Sequence, residues 1–224
     1  MRIAEKTVEL NFCMGLPQAL GINLFWFGLT QKQEAKAGFD ACTRLGATLL
    51  LFQLKSSNEL LNGGVRRFKA EHNQMQALRD RVKSNRKVFY VLPIVGTTLE
   101  PCGGFCFSNC SRYLDVSKLP VAIPQPIAKG SKPPTVRKNN CHYVDMSATL
   151  TTATIHSDPF EVALLSVEDL AKELKLPIAE ADTRRGGVHH NEPLSEATDL
   201  DEFREFWSEL SGVDRTGLLG AYVV

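Results

Sequence analysis

No run of eighteen or more apolar residues occurs in this 224-residue chain, so no membrane-spanning helix is expected. Its opening residues, Met1-Arg2-Ile3-Ala4-Glu5-Lys6, contain no apolar signal region, so export is not expected and the cytoplasm is the default location. Cysteine is sparse, at six residues, and without a signal region these are expected as reduced thiols or metal ligands rather than disulfides. The absence of any internal repeat or low-complexity tract excludes a stacked-repeat architecture. Net charge is also nearly absent, at +1.

What is present is the composition of an ordinary globular protein, 43% hydrophobic and 23% charged, with length for one domain and an appendage around a real core. The small net charge conceals an asymmetry. Residues 158–214 carry a net charge of −10, which leaves +11 on the remainder. Within that basic part, Arg66, Arg67, Lys69, Arg79, Arg81, Lys83, Arg86 and Lys87 crowd one stretch. Such a field attracts phosphate backbones, and Arg66, Arg67, Lys69, Arg79 and Lys83 are the candidate nucleic-acid contacts. A solvated helix face is the plainer explanation of the same residues. The acidic tail is either ordinary charged surface or an element that docks on the basic groove.

Hydrophobic spacing predicts the order of elements. Residues 3–20 suit a helix with Pro17 near its C-terminal end, and Leu24 to Phe27 a buried strand. A polar connection over 28–37 leads to two apolar-rich runs, 38–45 and 48–55, and a loop follows over 56–64. Met75, Leu78 and Val82 predict a helix from about 70 to 84 that packs on a sheet. Val88 to Val95 reads as a central strand in which Pro93 demands an edge or a bulge. Five prolines over 120–135 predict an extended excursion. Residues 142–146 and 151–156 suit two short strands, and Ser166 to Leu176 a helix capped by Ser166 with Asp169 at N3. Residues 1–176 are thus expected to form one α/β domain, 177–198 a polar linker, and 199–224 an acidic C-terminal helix and tail.

The most informative segment is the pair of runs joined by Gly46-Ala47. Glycine at the first central position of a two-residue loop suits a type II′ turn between antiparallel strands. Pairing Leu45 with Thr48 then places Asp40 directly opposite Gln53, with Cβ atoms roughly 5 Å apart, and Lys55 on the same face opposite Gly38. An acid, an amide oxygen and an ammonium in one patch suit a divalent metal and a phosphate. Hard cations such as Mg²⁺ take oxygen ligands, and phosphodiester hydrolysis at neutral pH uses such a metal to activate water.

Gly-Phe-Asp followed by a strand ending in Gln-Leu-Lys resembles the PD-(D/E)xK phosphodiesterase superfamily, the restriction-endonuclease-like nucleases. It is most similar to the Mrr-type subset, in which Gln stands where most members carry Glu. The resemblance covers about residues 5–95, and the motif's leading Pro is missing here. It implies a three-layer α/β/α sandwich with a mixed central sheet, followed here by a C-terminal helical extension. It also implies an Mg- or Mn-dependent endonuclease acting on DNA, with a role in restriction or phage defence. Asp40 and Glu9 would hold metal, assisted by Gln53 and the Leu54 carbonyl, and Lys55 would position phosphate and water. Glu5 and Glu34 are alternatives to Glu9. The following helix carries His72, Gln74 and Gln76, and His72 and Gln76 share one face as accessory candidates.

A competing constellation is Cys102, Cys106, Cys110 and then Cys141-His142, four ligands of the kind structural zinc takes, although at spacings unlike a usual knuckle. Free buried cysteine is common, so zinc is the lesser expectation. The rival functions are an inactive nucleic-acid-binding or scaffold protein keeping the nuclease fold, and a zinc-stabilised interaction module. Expected partners are DNA and either a second copy of the chain or a regulatory protein, with no membrane.

Overall fold

Four apolar side chains spaced four residues apart, Val8, Phe12, Leu16 and Leu20, give the first helix its buried stripe, and α1 spans Glu5–Leu20. The computed structural model describes residues 3–29, 34, 37–97, 107–128, 130, 133–157 and 159–176. Expectations for the linker, the acidic C-terminal segment, Cys102 and Cys106 lie outside those residues.

Ten strands form two sheets among the described residues. The first comprises β1 (Trp26–Gly28), β2 (Ala41–Leu45), β3 (Thr48–Leu54), β6 (Arg86–Pro93) and β7 (Ser111–Asp115), side by side in that order. Only β3 and β6 run parallel, so the sheet is mixed, as expected. The second is wholly antiparallel. Its strands β4 (Glu59–Leu60), β5 (Arg66–Glu71), β8 (Cys141–Met146), β9 (Thr152–Ile155) and β10 (Phe160–Ala163) lie in the order β10-β9-β8-β5-β4.

Side chains alternate across a strand, and β3 shows what that alternation separates. Leu50, Phe52 and Leu54 face α1 and α3 (Val167–Glu173), in a cluster where Phe12 meets Phe52 at 4.9 Å and Trp26 at 5.5 Å between ring centroids. Leu49 and Leu51 face the other way. There they join Met75 and Leu78 of α2 (His72–Asp80) and Phe68, Val144, Met146, Ala153 and Ile155 of the second sheet. The mixed α/β class therefore holds, but a second sheet shares with α2 the layer expected to be helical.

The sequence reading passes over β4, β5, β7 and β10, and of these β5 leads directly into α2. Its residues 66–71 alternate buried and less buried, with Arg66, Phe68 and Ala70 turned inward, and α2 starts only at His72. The expected buried strand at 24–27 forms only as the short edge strand β1, and Phe25, just ahead of it, is exposed. Pro93 closes β6 opposite Ser111. The expected pair at 142–146 and 151–156 forms as β8 and β9, and α3 carries the full capping box between Ser166 and Asp169. One expectation about cysteine is corrected. Cys110 is disulfide-bonded, whereas Cys13, Cys42 and Cys141 are free thiols.

Candidate active site at the carboxyl end of the parallel pair

The hairpin forms with the expected register, Leu45 facing Thr48 and Ala41 facing Phe52. Gly46 takes φ of +56° and Ala47 keeps a negative φ, the combination a type II′ turn needs. Asp40 lies one residue ahead of β2, yet its N–H still donates to the Phe52 carbonyl at 3.0 Å. That bond carries the ladder's register into the site.

Asp40 and Gln53 meet as expected. Oδ2 of Asp40 accepts from Gln53 Nε2 at 2.6 Å and from the Leu54 N–H at 2.7 Å, and Gln53 Nε2 also reaches the Leu54 carbonyl at 3.1 Å. Lys55 is no surface lysine. It is 8% exposed, and its ammonium donates to Gln74 Oε1 at 2.8 Å, while Gln74 Nε2 donates to Gln53 Oε1 at 2.9 Å. An ammonium can only donate and an ionised carboxylate can only accept, so both amides are oriented by the ends of the chain. The result is a relay, ammonium to amide to amide to carboxylate, in which each hydrogen bond polarises the next.

Electrostatics follow from burial. Loss of hydration pushes the Asp40 carboxyl up to about 6, against the Leu54 N–H and the Lys55 charge, which both favour ionisation. Glu5 adds to the upward shift, so it is this α1 carboxylate whose charge acts on Asp40. Glu9, the expected metal ligand, is paired with Lys6 at 2.7 Å. The charges of Glu34 and Asp40 also act on Lys6, which places Glu34 in the same neighbourhood.

Tyr90 completes the surroundings. It lies beside Gln53 in the parallel register, 2% exposed, and its hydroxyl is buried without a hydrogen-bond partner among the described residues. Burial holds its ionisation far above the usual range, and the charges of Asp40 and Glu71 add to that. The group sits at the carboxyl end of the sheet's parallel pair, where open α/β sheets commonly place ligands.

Other expected residues go elsewhere. His72 Nδ1 faces His142 Nε2 at 3.1 Å, and its Nε2 faces the Gln125 amide at 2.9 Å. Gln76 bonds Asp80, the Val121 carbonyl and the Ile123 N–H, so Gln74 is the glutamine of this helix that enters the site. The basic stretch does not form one groove. Arg66 is buried on the Ser57 carbonyl, Arg67 grips both oxygens of Asp145 at 2.7 and 2.6 Å, and Arg79 donates to the Leu119 carbonyl. Lys69 and Lys83 are exposed, one on β5 and one in the turn after α2. Cys141 opens β8 and donates to the Asn139 carbonyl at 3.1 Å.

Sequence reasoning missed Tyr90 altogether and named Gln74 without selecting it. The helical pattern identifies which α2 residues are apolar, but Gln74 and Gln76 are both polar and differ only in how the helix is turned against the sheet. Tyr90 reads as core, and only the β3–β6 pairing brings it beside Gln53. No family model, curated protein or solved structure matches this chain significantly.

Proposed function

We propose that this chain is a metal-dependent nuclease with a restriction-endonuclease-like core, hydrolysing phosphodiester bonds in DNA. The observation that carries the reading is the relay from Lys55 through Gln74 and Gln53 to Asp40, assembled on one hairpin and one helix. Among the described residues no three His, Cys, Asp or Glu side chains cluster as metal ligands. A site here would therefore rest on Asp40 and at most one further carboxylate, with neutral carbonyl oxygens and water. That donor set fits Mg²⁺ or Mn²⁺, hard cations that keep several waters. Asp40 Oδ1 and the Leu54 carbonyl would hold the ion. When bound, it would lower the pKa of a water and offset charge developing on the phosphate.

The remaining work belongs to the protein. Lys55, released from Gln74, would donate to a non-bridging phosphate oxygen. Gln74 would then keep Gln53 in place, and the Tyr90 hydroxyl, without a partner among the described residues, would supply a further donor. Because Gln53 turns its carbonyl toward Gln74, it holds Asp40 rather than a metal in this arrangement. That closed network also favours a second reading, an inactive nucleic-acid-binding scaffold, since nothing in it requires an ion to satisfy its hydrogen bonds.

Purified protein incubated with supercoiled plasmid, linear duplex and single-stranded DNA, in Mg²⁺, Mn²⁺ or EDTA, decides between them. Metal-dependent cutting that disappears in both Asp40→Ala and Lys55→Ala is expected. Equal cleavage by Lys55→Ala and wild type would sink the assigned site, and DNA binding without cutting in any metal leaves the scaffold.

A further inference from the structure

Residues 119–128, in the proline-rich stretch, carry no charged side chain and form a strap held against α2. Arg79 donates to the Leu119 carbonyl, and Gln76 bonds the Val121 carbonyl and the Ile123 N–H. At Gln125 the strap meets a different kind of partner. Gln125 bonds His72 Nε2 at 2.9 Å, His72 Nδ1 faces His142 Nε2 at 3.1 Å, and His142 Nδ1 bonds the Ser157 hydroxyl. The chain of four side chains thus ties the strap to the first residue of α2, to β8 and to the turn after β9. Both rings are enclosed, His72 at 8% and His142 at 0% exposure. Neither bonds a cysteine: Cys141 donates to the Asn139 carbonyl, and Cys110 is disulfide-bonded.

An N–H···N bond between two imidazoles needs a lone pair on one of them. The four ring nitrogens can hold two or three protons with every link intact, because the Gln125 amide and the Ser157 hydroxyl each donate or accept. A fourth proton sets N–H against N–H and charge against charge, with little water to screen them. No carboxylate bonds either ring among the described residues. The strap brings no charge, α2 offers Arg79 and Asp80 only at its far end, and Arg67, Lys69, Glu71, Asp145 and His156 alternate onto the opposite face of the sheet. Burial, then the charges of His72 and Arg137, push the His142 imidazole down from the usual 6.5 to about 4. We propose that the His72–His142 pair is an acid-operated latch, which holds the 119–128 strap on α2 and releases it when both rings are charged. A histidine depressed in this way stabilises the closed arrangement fully above pH 6.5 and progressively less as pH falls toward 4. Gln74 lies two residues beyond His72 on α2, so release of His72 also frees the helix end that holds Lys55 and Gln53. The latch does not depend on the nuclease reading, since it is read in amide exchange and not in cleavage.

The test is hydrogen–deuterium exchange of the full chain at about pH 7 and about pH 4.5, corrected for intrinsic amide rates. It is read in peptides covering 119–128 and in the β3–β6 ladder. In wild type the strap, including the Ile123 amide, is expected to exchange about tenfold to a hundredfold faster at the lower pH, while the ladder changes by less than about threefold. In His142→Gln, whose side chain stays neutral, the strap's response should shrink to about twofold. Because glutamine at a fully buried position can itself impair folding, a proton NMR titration of the wild-type histidine rings is the second measurement, and at least one ring is expected to titrate below about pH 5. Equal protection of the strap at both pH values, an undiminished response in His142→Gln, a ladder that opens together with the strap, or every ring titrating above about pH 6 would each overturn the proposal.

Discussion

Asp40 is held where a carboxylate is least comfortable, and that has a measurable sign. Its folded-state pKa of about 6 lies above the usual value of 3.8, so the folded protein holds this proton more tightly than the unfolded chain. The resulting stabilisation is fully present below about pH 4 and is lost as pH rises through 6. Asp40→Asn keeps an acceptor for the Leu54 N–H without the charge. It should therefore exceed wild type in stability by about 1–3 kcal/mol above pH 7, and lose that advantage below pH 4, in urea titrations across pH. On the proposed reading, affinity for Mg²⁺ or Mn²⁺ should fall as the pH drops below about 6, where Asp40 takes up a proton. Tyr90→Phe removes a buried hydroxyl that has no partner among the described residues, so melting should show stability unchanged or raised by up to about 1 kcal/mol. A loss larger than that would show the hydroxyl to be bonded after all.

At the scale of elements, the hairpin sets the register on which the site depends. Gly46 occupies a backbone conformation that side chains disfavour, and Gly46→Ala should cost about 1–2 kcal/mol in chemical unfolding. If the turn adapts without cost, the register is imposed by the core instead. Gly96 is constrained differently. A Cβ there would collide with the Ser57 carbonyl and the Arg66 guanidinium, which locks the end of β6 against the loop after β3. The cap of α3 is a local matter. Ser166→Ala removes the acceptor for the Asp169 N–H and should lower stability by about 1 kcal/mol, read by thermal melting.

At the scale of the molecule, a single apolar cluster joins the first sheet, α2 and the second sheet, so the two sheets should unfold together. Phe68 lies in β5 and is 1% exposed within that cluster. Phe68→Ala is expected to cost about 3–5 kcal/mol and to shift the far-UV circular dichroism and tryptophan fluorescence midpoints by the same amount. Separated midpoints would instead show that the second sheet melts alone. No helix among the described residues is long and apolar enough to cross a membrane.

Local chemistry made the hairpin, its register and the Asp40–Gln53 meeting legible in the sequence, because a two-residue glycine turn dictates which residues face each other. The Ser166 cap and the β8–β9 pair were legible for the same reason, each depending on residues close in the chain. Strand β5 was hidden because its alternating pattern begins and ends in charged residues, so Phe68 and Ala70 stand as isolated apolar positions until β8 pairs with them. That Gln74 rather than Gln76 meets Gln53, and that Tyr90 lies beside Gln53, was decided by tertiary structure alone. Helix rotation and strand pairing are set by how the whole core packs, and two glutamines flanking the apolar stripe carry no local signal of which will face inward.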